Sequence, residues 1–338
     1  MFVARPFHSY LASSFLFGGV LLAAPACTDD TIDLTVQHQE TVTVENTEEA
    51  WYPEGVVFDN RNDRFLVSSQ TLGTIGRVSD SGGYEAFIND TSLISTGGLN
   101  IDTGRDRLLV TVSDPGYNKA RSRTSTIGKT ARLVVFNRNT GTLSINLDLS
   151  NFFRKGKAHF ANDIAVDSAG NAFVTDSYSP VIYRVSSQNG VSLFKQDTLL
   201  APSGPNIIGL NGIAFNRQGY VLTIKSDTGT LLKIPVNGNG TGGTITKVTA
   251  NADLTGGDGM VFLDKQTLLI ALNKQNKVLQ LYSADNWATA TVKGTFDTPD
   301  VFPTTLTLRT AVEPYVLYSR LNALQGNVRG FTIQKVRY

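Results

Sequence analysis

Cysteine is almost missing from this chain: one residue, Cys27, in 338. A single cysteine forms no internal disulfide, so packing must hold the folded part together. Methionine is nearly as sparse, with two residues. Neither sign of charge is in excess: 30 Lys and Arg face 29 Asp and Glu, for a formal charge of +1. No basic stripe is evident either, so nucleic-acid binding lacks its electrostatic driving force. The basic run Arg154-Lys155-Gly156-Lys157 reads as a solvated loop. There is no Gly-x-Ser-x-Gly nucleophile elbow, no phosphate-binding loop and no dinucleotide fingerprint, which removes the motif evidence for those chemistries. The apolar stretch Ser14–Ala24 is too short to span a bilayer comfortably. It follows Arg5 and ends in the small-residue cleavage site Ala24-Pro25-Ala26. Residues 1–26 are therefore expected to be a signal peptide, and 27–338 a single secreted domain without a transmembrane segment. Cys27, directly after that site, is also placed to carry a lipid anchor or lie in a periplasm if the chain is bacterial. The glycosylation triplets Asn89-Asp90-Thr91 and Asn239-Gly240-Thr241 lean toward a eukaryotic secretory route.

What the chain does have is glycine, 31 residues, between short runs of Val, Ile, Thr and Leu. That is the composition of strands and tight turns. The runs repeat. Phe58-Asp59-Asn60-Arg61-Asn62-Asp63-Arg64-Phe65-Leu66-Val67 aligns without gaps on Ile101-Asp102-Thr103-Gly104-Arg105-Asp106-Arg107-Leu108-Leu109-Val110. Val166 to Val174 follows the same outline one residue shorter. The repeats open at Glu54–Asp59, Gly97–Asp102, Asn162–Asp167, Asn211–Asn216, Asp258–Leu263 and Thr304–Arg309. Repeats of about 40 to 50 residues with about four strands each predict a propeller. The fold class is thus all-β: a six-bladed β-propeller with four-stranded antiparallel blades. The sixth repeat shows three clear strands, so a strand from the alternating Thr31–Val44 region is expected to close the ring. A sandwich of short strands is the alternative, which the in-register repeats oppose.

In a propeller the innermost strands line a central channel, and equivalent positions form a ring at its mouth. Here the ring reads Glu54, Gly97, Asn162, Asn211, Asp258 and Thr304. Its side chains are hard oxygen donors, suited to Ca²⁺ first, with Mg²⁺, Mn²⁺ and Zn²⁺ as alternatives. Cys and His are absent from it, against a typical zinc site. Asn, Asp and Gly also cap strand starts as turn residues, but Glu does not form turns and is costly to bury unpaired. The expected metal residues are Glu54, Asn162, Asn211 and Asp258.

The residues Pro53-Glu54-Gly55, Asn162-Asp163, Asn211-Gly212 and Asp258-Gly259-Met260, in this order and spacing, resemble the SMP-30/gluconolactonase/LRE-like family. Paraoxonases and strictosidine-synthase-like proteins are its wider relatives. The resemblance spans repeats one to five. It implies a six-bladed propeller with a divalent metal, often calcium, held by those four residues, and hydrolysis of a lactone or ester. It also implies that Asp258 orients or deprotonates the attacking water, with a purely ligating Asp258 as the alternative. Sugar-lactone members carry Arg two residues before the Asn; here Phe160 stands there, which favours a substrate less polar than a sugar lactone. His159, beside it, is a second catalytic candidate, since imidazole titrates near neutral pH. Phe160, Asn100, Asp176, Lys225 and Tyr117 are the candidate substrate-binding residues. A second ring, Ser69, Asp114, Asp176, Lys225, Asn273 and Arg320, is expected at the ends of the next strands. The long Asp114–Thr130 segment is either a lid or disordered. Two other functions stay open: a cyclising or condensing enzyme of secondary metabolism, and a non-catalytic binding propeller.

Overall fold

The computed structural model describes residues 38–45, 50–326 and 328–338. Six strands lie innermost: Val56–Asp59, Ser95–Asp102, His159–Val166, Leu210–Asn216, Gly257–Phe262 and Pro303–Thr310. Each begins one antiparallel sheet, numbered here as blades one to six. Each packs against the inner strands of its two neighbours, and the first packs against the sixth. The sheets therefore close into a six-bladed β-propeller, as the repeats predict.

The strands are apolar over continuous runs because both of their faces are buried. Successive side chains point to opposite faces. In Arg64–Val67, Phe65 and Val67 pack toward blade six and Leu66 toward blade two. In Arg107–Ser113, Leu108 and Val110 pack toward blade one and Leu109 toward blade three. The core is consequently split into six apolar clusters, one at each junction between blades.

Blade six closes with the two ends of the described chain. Thr41–Glu45 lies antiparallel to Gly330–Lys335, with Val42 opposite Ile333 and Val44 opposite Phe331. The expected strand at Thr31–Val36, Cys27 and the expected signal peptide lie outside the described residues. Among the described residues no helix is long and apolar enough to cross a membrane.

Three details differ from the sequence expectation. Blade two has a fourth strand, Leu143–Asp148, which the sequence pattern hides because its side chains are all exposed or half-buried. The outer strand of blade four is cut to Thr246–Lys247, since the glycine-rich turn before it pairs only through Val236 and Gly242. The inner strand of blade three starts at His159 rather than Asn162. Its first two residues pair in parallel with Lys129–Thr130, the end of the long segment from blade two.

Val42 and Val44 are almost fully buried against blade six while Thr41 and Thr43 face solvent. The double change Val42→Ala and Val44→Ala is expected to cost roughly 3–5 kcal/mol of stability in urea unfolding. Thr43→Ala, on the outer face of the same strand, should stay within about 0.5 kcal/mol of the parent.

Candidate metal centre

Five of the six inner strands are interrupted at the same level. Pairing skips from Thr96 to Leu99, Ala161 to Ile164, Leu210 to Ile213, Gly257 to Met260 and Pro303 to Leu306. The first residue inside each gap is Gly97, Asn162, Asn211, Asp258 or Thr304. Glu54 holds the matching place in blade one, two residues before the paired Val56. A bulge takes a residue out of the ladder and re-aims its side chain. Five of the six ring positions are thus bulge residues, not strand starts.

Hydroxyls take up the backbone groups that the bulges release. Ser68 Oγ accepts from Gly55 N at 2.7 Å. Thr175 Oγ1 accepts from Asp163 N at 3.1 Å and donates to Asn211 O, one blade on, at 2.8 Å. Thr111 Oγ1 donates across to Asn162 O at 2.6 Å. Thr304 and Thr305 both donate to Glu54 O, at 2.8 and 2.7 Å. The blades approach so closely here that a Cβ on Gly55 would collide with the Gly97 carbonyl, and one on Gly212 with the Asp258 carbonyl. Glycine after Glu54 and Asn211 is a packing requirement.

Glu54, Asn162, Asn211 and Asp258 are all buried and line one cavity of ≈ 400 Å³. Asn273 Nδ2 donates to Asp258 Oδ2 at 2.8 Å, and Asn162 Nδ2 donates to Ser177 Oγ at 2.9 Å. Several buried oxygens on the cavity's residues have no partner: Glu54 Oε2, Gln70 Oε1, Asn211 Oδ1, Asn273 Oδ1 and Asp227 Oδ1, the last with Lys225 Nζ at 3.9 Å. A buried acceptor left unpaired costs about 1–3 kcal/mol.

The charges point the same way. Burial, then the charges of Asp258 and Asp163, hold the Glu54 carboxyl well above the usual range. Burial pushes Asp258 up to about 7, with Asp163 adding to it and the amides of Asn273 and Asn211 partly offsetting it. Burial pushes Asp163 up to about 6, although Ile164 N and Ile213 N donate to it. Lys274 is the one basic residue lining the cavity among the described residues. A group of carboxylates and carboxamides with free oxygens and little nearby positive charge fits a hard divalent cation. Gly97 helps: a Cβ there would stand 3.4 Å from Glu54 Oε2, so its absence keeps space beside that oxygen. Among the described residues no three His, Cys, Asp or Glu side chains cluster as metal ligands, so any such site depends on the two carboxamides.

The model of the SMP-30/gluconolactonase/LRE-like region matches residues 52–305. The chain belongs to this family. No curated protein sequence matches it. Its propeller is similar to the solved structure of the major allergen Mala s 1 of Malassezia sympodialis, at 18% identity and a TM-score of 0.70, over 88% of this chain and 96% of that one. It is also similar to the calcium-binding protein regucalcin from Agrobacterium tumefaciens, at 16% identity and a TM-score of 0.60, over 87% and 92%. A gluconolactonase from Xanthomonas campestris aligns at 12% identity and a TM-score of 0.59, over 88% and 89%. At these identities the structures share the fold.

In this SMP-30/gluconolactonase/LRE-like propeller the remaining candidates divide. Phe160 and Tyr117 line the cavity, with Pro115 beside Tyr117. The segment from Asp114 to Thr130 thus overhangs the mouth, and Asp114 staples it through Gly116 N, Ser122 Oγ and Thr126 Oγ1. Asn100 lies farther along the channel, in a second cavity, where its amide donates to Ile164 O. Asp176, Lys225 and His159 do not line the mouth cavity. His159 and Asp176 are fully buried and bonded to each other at 2.7 Å. Burial opposes the protonated ring of His159, but the Asp176 carboxylate outweighs it and raises the pKa above the ordinary histidine value.

The second ring is corrected by one residue in three blades. Pairing places Asp176 and Lys225 at the last ladder positions, with Ser69 two residues past the end of its strand, and the next residues, Gln70, Ser177 and Ser226, reach the ring or its cavity. Asn273 was in register. Asp114 and Arg320 sit beyond it, with Asp114 turned to its own loop. Sequence reasoning also passed over Tyr178, Ile207 and Phe302, which line the cavity from loops without repeat pattern.

Because the Asp258 and Asp163 pKa values are raised, their protonated forms favour the fold. The metal-free chain should lose this stability as pH rises from about 4 through about 7. Saturating Ca²⁺ is expected to raise Tm by about 5 °C near pH 7.5 and by less near pH 5, read by scanning calorimetry. Equal shifts at both pH values would count against the carboxylate set. Gly212→Ala, by pushing on the Asp258 carbonyl, should cost roughly 1–3 kcal/mol of stability and weaken Ca²⁺ binding in a calorimetric titration.

Proposed function

We propose that this chain is a divalent-cation-dependent hydrolase of a lactone or carboxylic ester, with calcium the favoured ion. The observation that carries the reading is the set of unpartnered oxygens on Glu54, Asn211 and Asn273, beside Asp258 in one cavity. The family match and the gluconolactonase and regucalcin likenesses support it. Glu54, Asn162, Asn211 and Asp258 would hold the ion. A bound divalent cation supplies Lewis acidity toward a carbonyl oxygen and lowers the pKa of water.

The chain's own residues do the rest. Asp258 lines the cavity with Asn273 donating to one of its oxygens, and in this reading it orients a water and takes its proton. Ser177 holds the Asn162 amide, so that its oxygen keeps one direction. Phe160, Tyr178 and Tyr117 narrow the mouth and exclude bulk water. Export through the secretory route is part of the same reading, supported by Arg5, the apolar stretch Ser14–Ala24 and Ala24-Pro25-Ala26.

The test is hydrolysis of a panel of lactones and aryl esters with and without a chelator, alongside calorimetric Ca²⁺ binding. Chelation should abolish turnover, and Asp258→Asn should lower kcat by about 10²–10⁴-fold. Calcium binding with no turnover of any substrate would instead make this a non-catalytic binding propeller.

A further inference from the structure

One buried carboxylate outside the metal floor holds one of the cavity's walls. Asp176 is 0% exposed. Its Oδ1 accepts from Phe160 N at 2.9 Å and from Tyr178 N at 3.1 Å. Its Oδ2 accepts from Tyr183 OH at 3.0 Å and bonds His159 Nδ1 at 2.7 Å. Both oxygens are thus doubly engaged, and the carboxylate is fixed in rotation. The two backbone N–H groups on Oδ1 belong to the two aromatic residues of one wall. Their rings lie 5.3 Å apart, tilted by 55°, and both line the cavity. Ser177 N, between them in space, donates to Phe160 O at 2.8 Å and completes the clasp.

The surroundings say what such a wall suits. Tyr117, Ile207 and Phe302 continue the apolar lining around the rim. The floor carries Glu54 and Asp258, and the side carries Asp227. A molecule rich in hydroxyls would leave them unpaired against the rings, at a cost for each. Away from a bound ion, an anion would meet the Asp227 carboxylate at the side, with Lys274 the one basic residue lining the cavity among the described residues. A flat uncharged ring gains edge-to-face contact with a tilted aromatic pair. The volume of ≈ 400 Å³ is that of a small-molecule site.

We propose that Asp176 is a positioning residue that sets the Phe160–Tyr178 wall, and that the wall selects uncharged molecules presenting a flat apolar ring. This rests on the mouth cavity being the substrate site of the proposed hydrolase. His159 and Tyr183 act behind Asp176, holding the carboxylate rather than touching a substrate.

The experiment measures equilibrium binding of 2-naphthol, a ring that cannot be hydrolysed, through its own fluorescence, with glucono-δ-lactone as the polar competitor and Ca²⁺ affinity as the control. The parent chain should bind 2-naphthol, and the lactone should not displace it. Phe160→Ala and Tyr178→Ala should each weaken it about ten-fold. Asp176→Ala should weaken it by a similar factor. Asp176→Asn, which keeps an oxygen for the two N–H groups, should restore affinity to within about two-fold of the parent. Ca²⁺ affinity should be unchanged throughout. If Asp176→Ala does not fold, Tyr183→Phe frees one side of the carboxylate and should weaken 2-naphthol a few-fold. Unchanged naphthol binding in a folded Asp176→Ala or in Tyr183→Phe, or displacement by the sugar lactone, overturns the proposal. Because no turnover is read, a chain that binds naphthol but hydrolyses nothing loses the hydrolase reading alone, and one that hydrolyses but ignores the wall variants loses this one alone.

Discussion

Six inner strands meet at one end of a narrow channel, and the space between them decides most of what is found there. Where Gly55 faces the Gly97 carbonyl and Gly212 faces the Asp258 carbonyl, no side chain fits. The ladder yields at that level in five blades by a bulge. The yielding has two products. It turns Asn162, Asn211 and Asp258 into the channel, and it frees backbone groups that Thr111 and Thr175 then satisfy. Thr111 and Thr175 bridge neighbouring blades as well as repairing their own. Site and scaffold are therefore one set of contacts. A change that relaxes the packing also moves the oxygens.

Two solvents meet in the mouth cavity. Its floor is oxygen-rich, and burial, with the nearby carboxylates adding to it, raises the pKa of Glu54 and Asp258. Its rim is aromatic and aliphatic. A buried carboxylate group of this kind destabilises the fold unless positive charge or protons arrive. Asp176 shows the contrast. It is as deeply buried, yet three donors and a histidine surround it. The chain satisfies the carboxylate it uses as a strut and leaves under-satisfied those that face the cavity.

Much of this was legible in the residues. The fold followed from repeats such as Phe58–Val67 on Ile101–Val110, because alternate burial on two faces forces a regular apolar run in every blade. The ring was legible because equivalent positions at one level share a small set of residue types, Glu, Asn, Asp, Gly and Thr. The sequence could not show that these positions were bulges, since a skipped pair leaves no mark in composition. That is also why the second ring came out one residue early at Ser69, Asp176 and Lys225. The pairing of His159 with Asp176 stayed hidden because 17 positions separate two residues that adjacent strands bring together. Tyr178, Ile207 and Phe302 stand on loops, where each blade differs and no period applies.

The strand Thr41–Glu45 sits on Gly330–Lys335 across nearly the whole length of the chain. Its consequence is temporal. During synthesis the early blades can pair within themselves, but blade six cannot be completed until its last strand has emerged. Until then the apolar face of Val42 and Val44 has no partner, and the junction between blades six and one is open. Closing so long a loop comes late, after local hairpins have formed. The open ring would carry two unpaired strand edges of matching register, which a second chain could meet as well as the first. Crowding of nascent chains, more than the strength of any one blade, would then decide how much of this protein closes on itself.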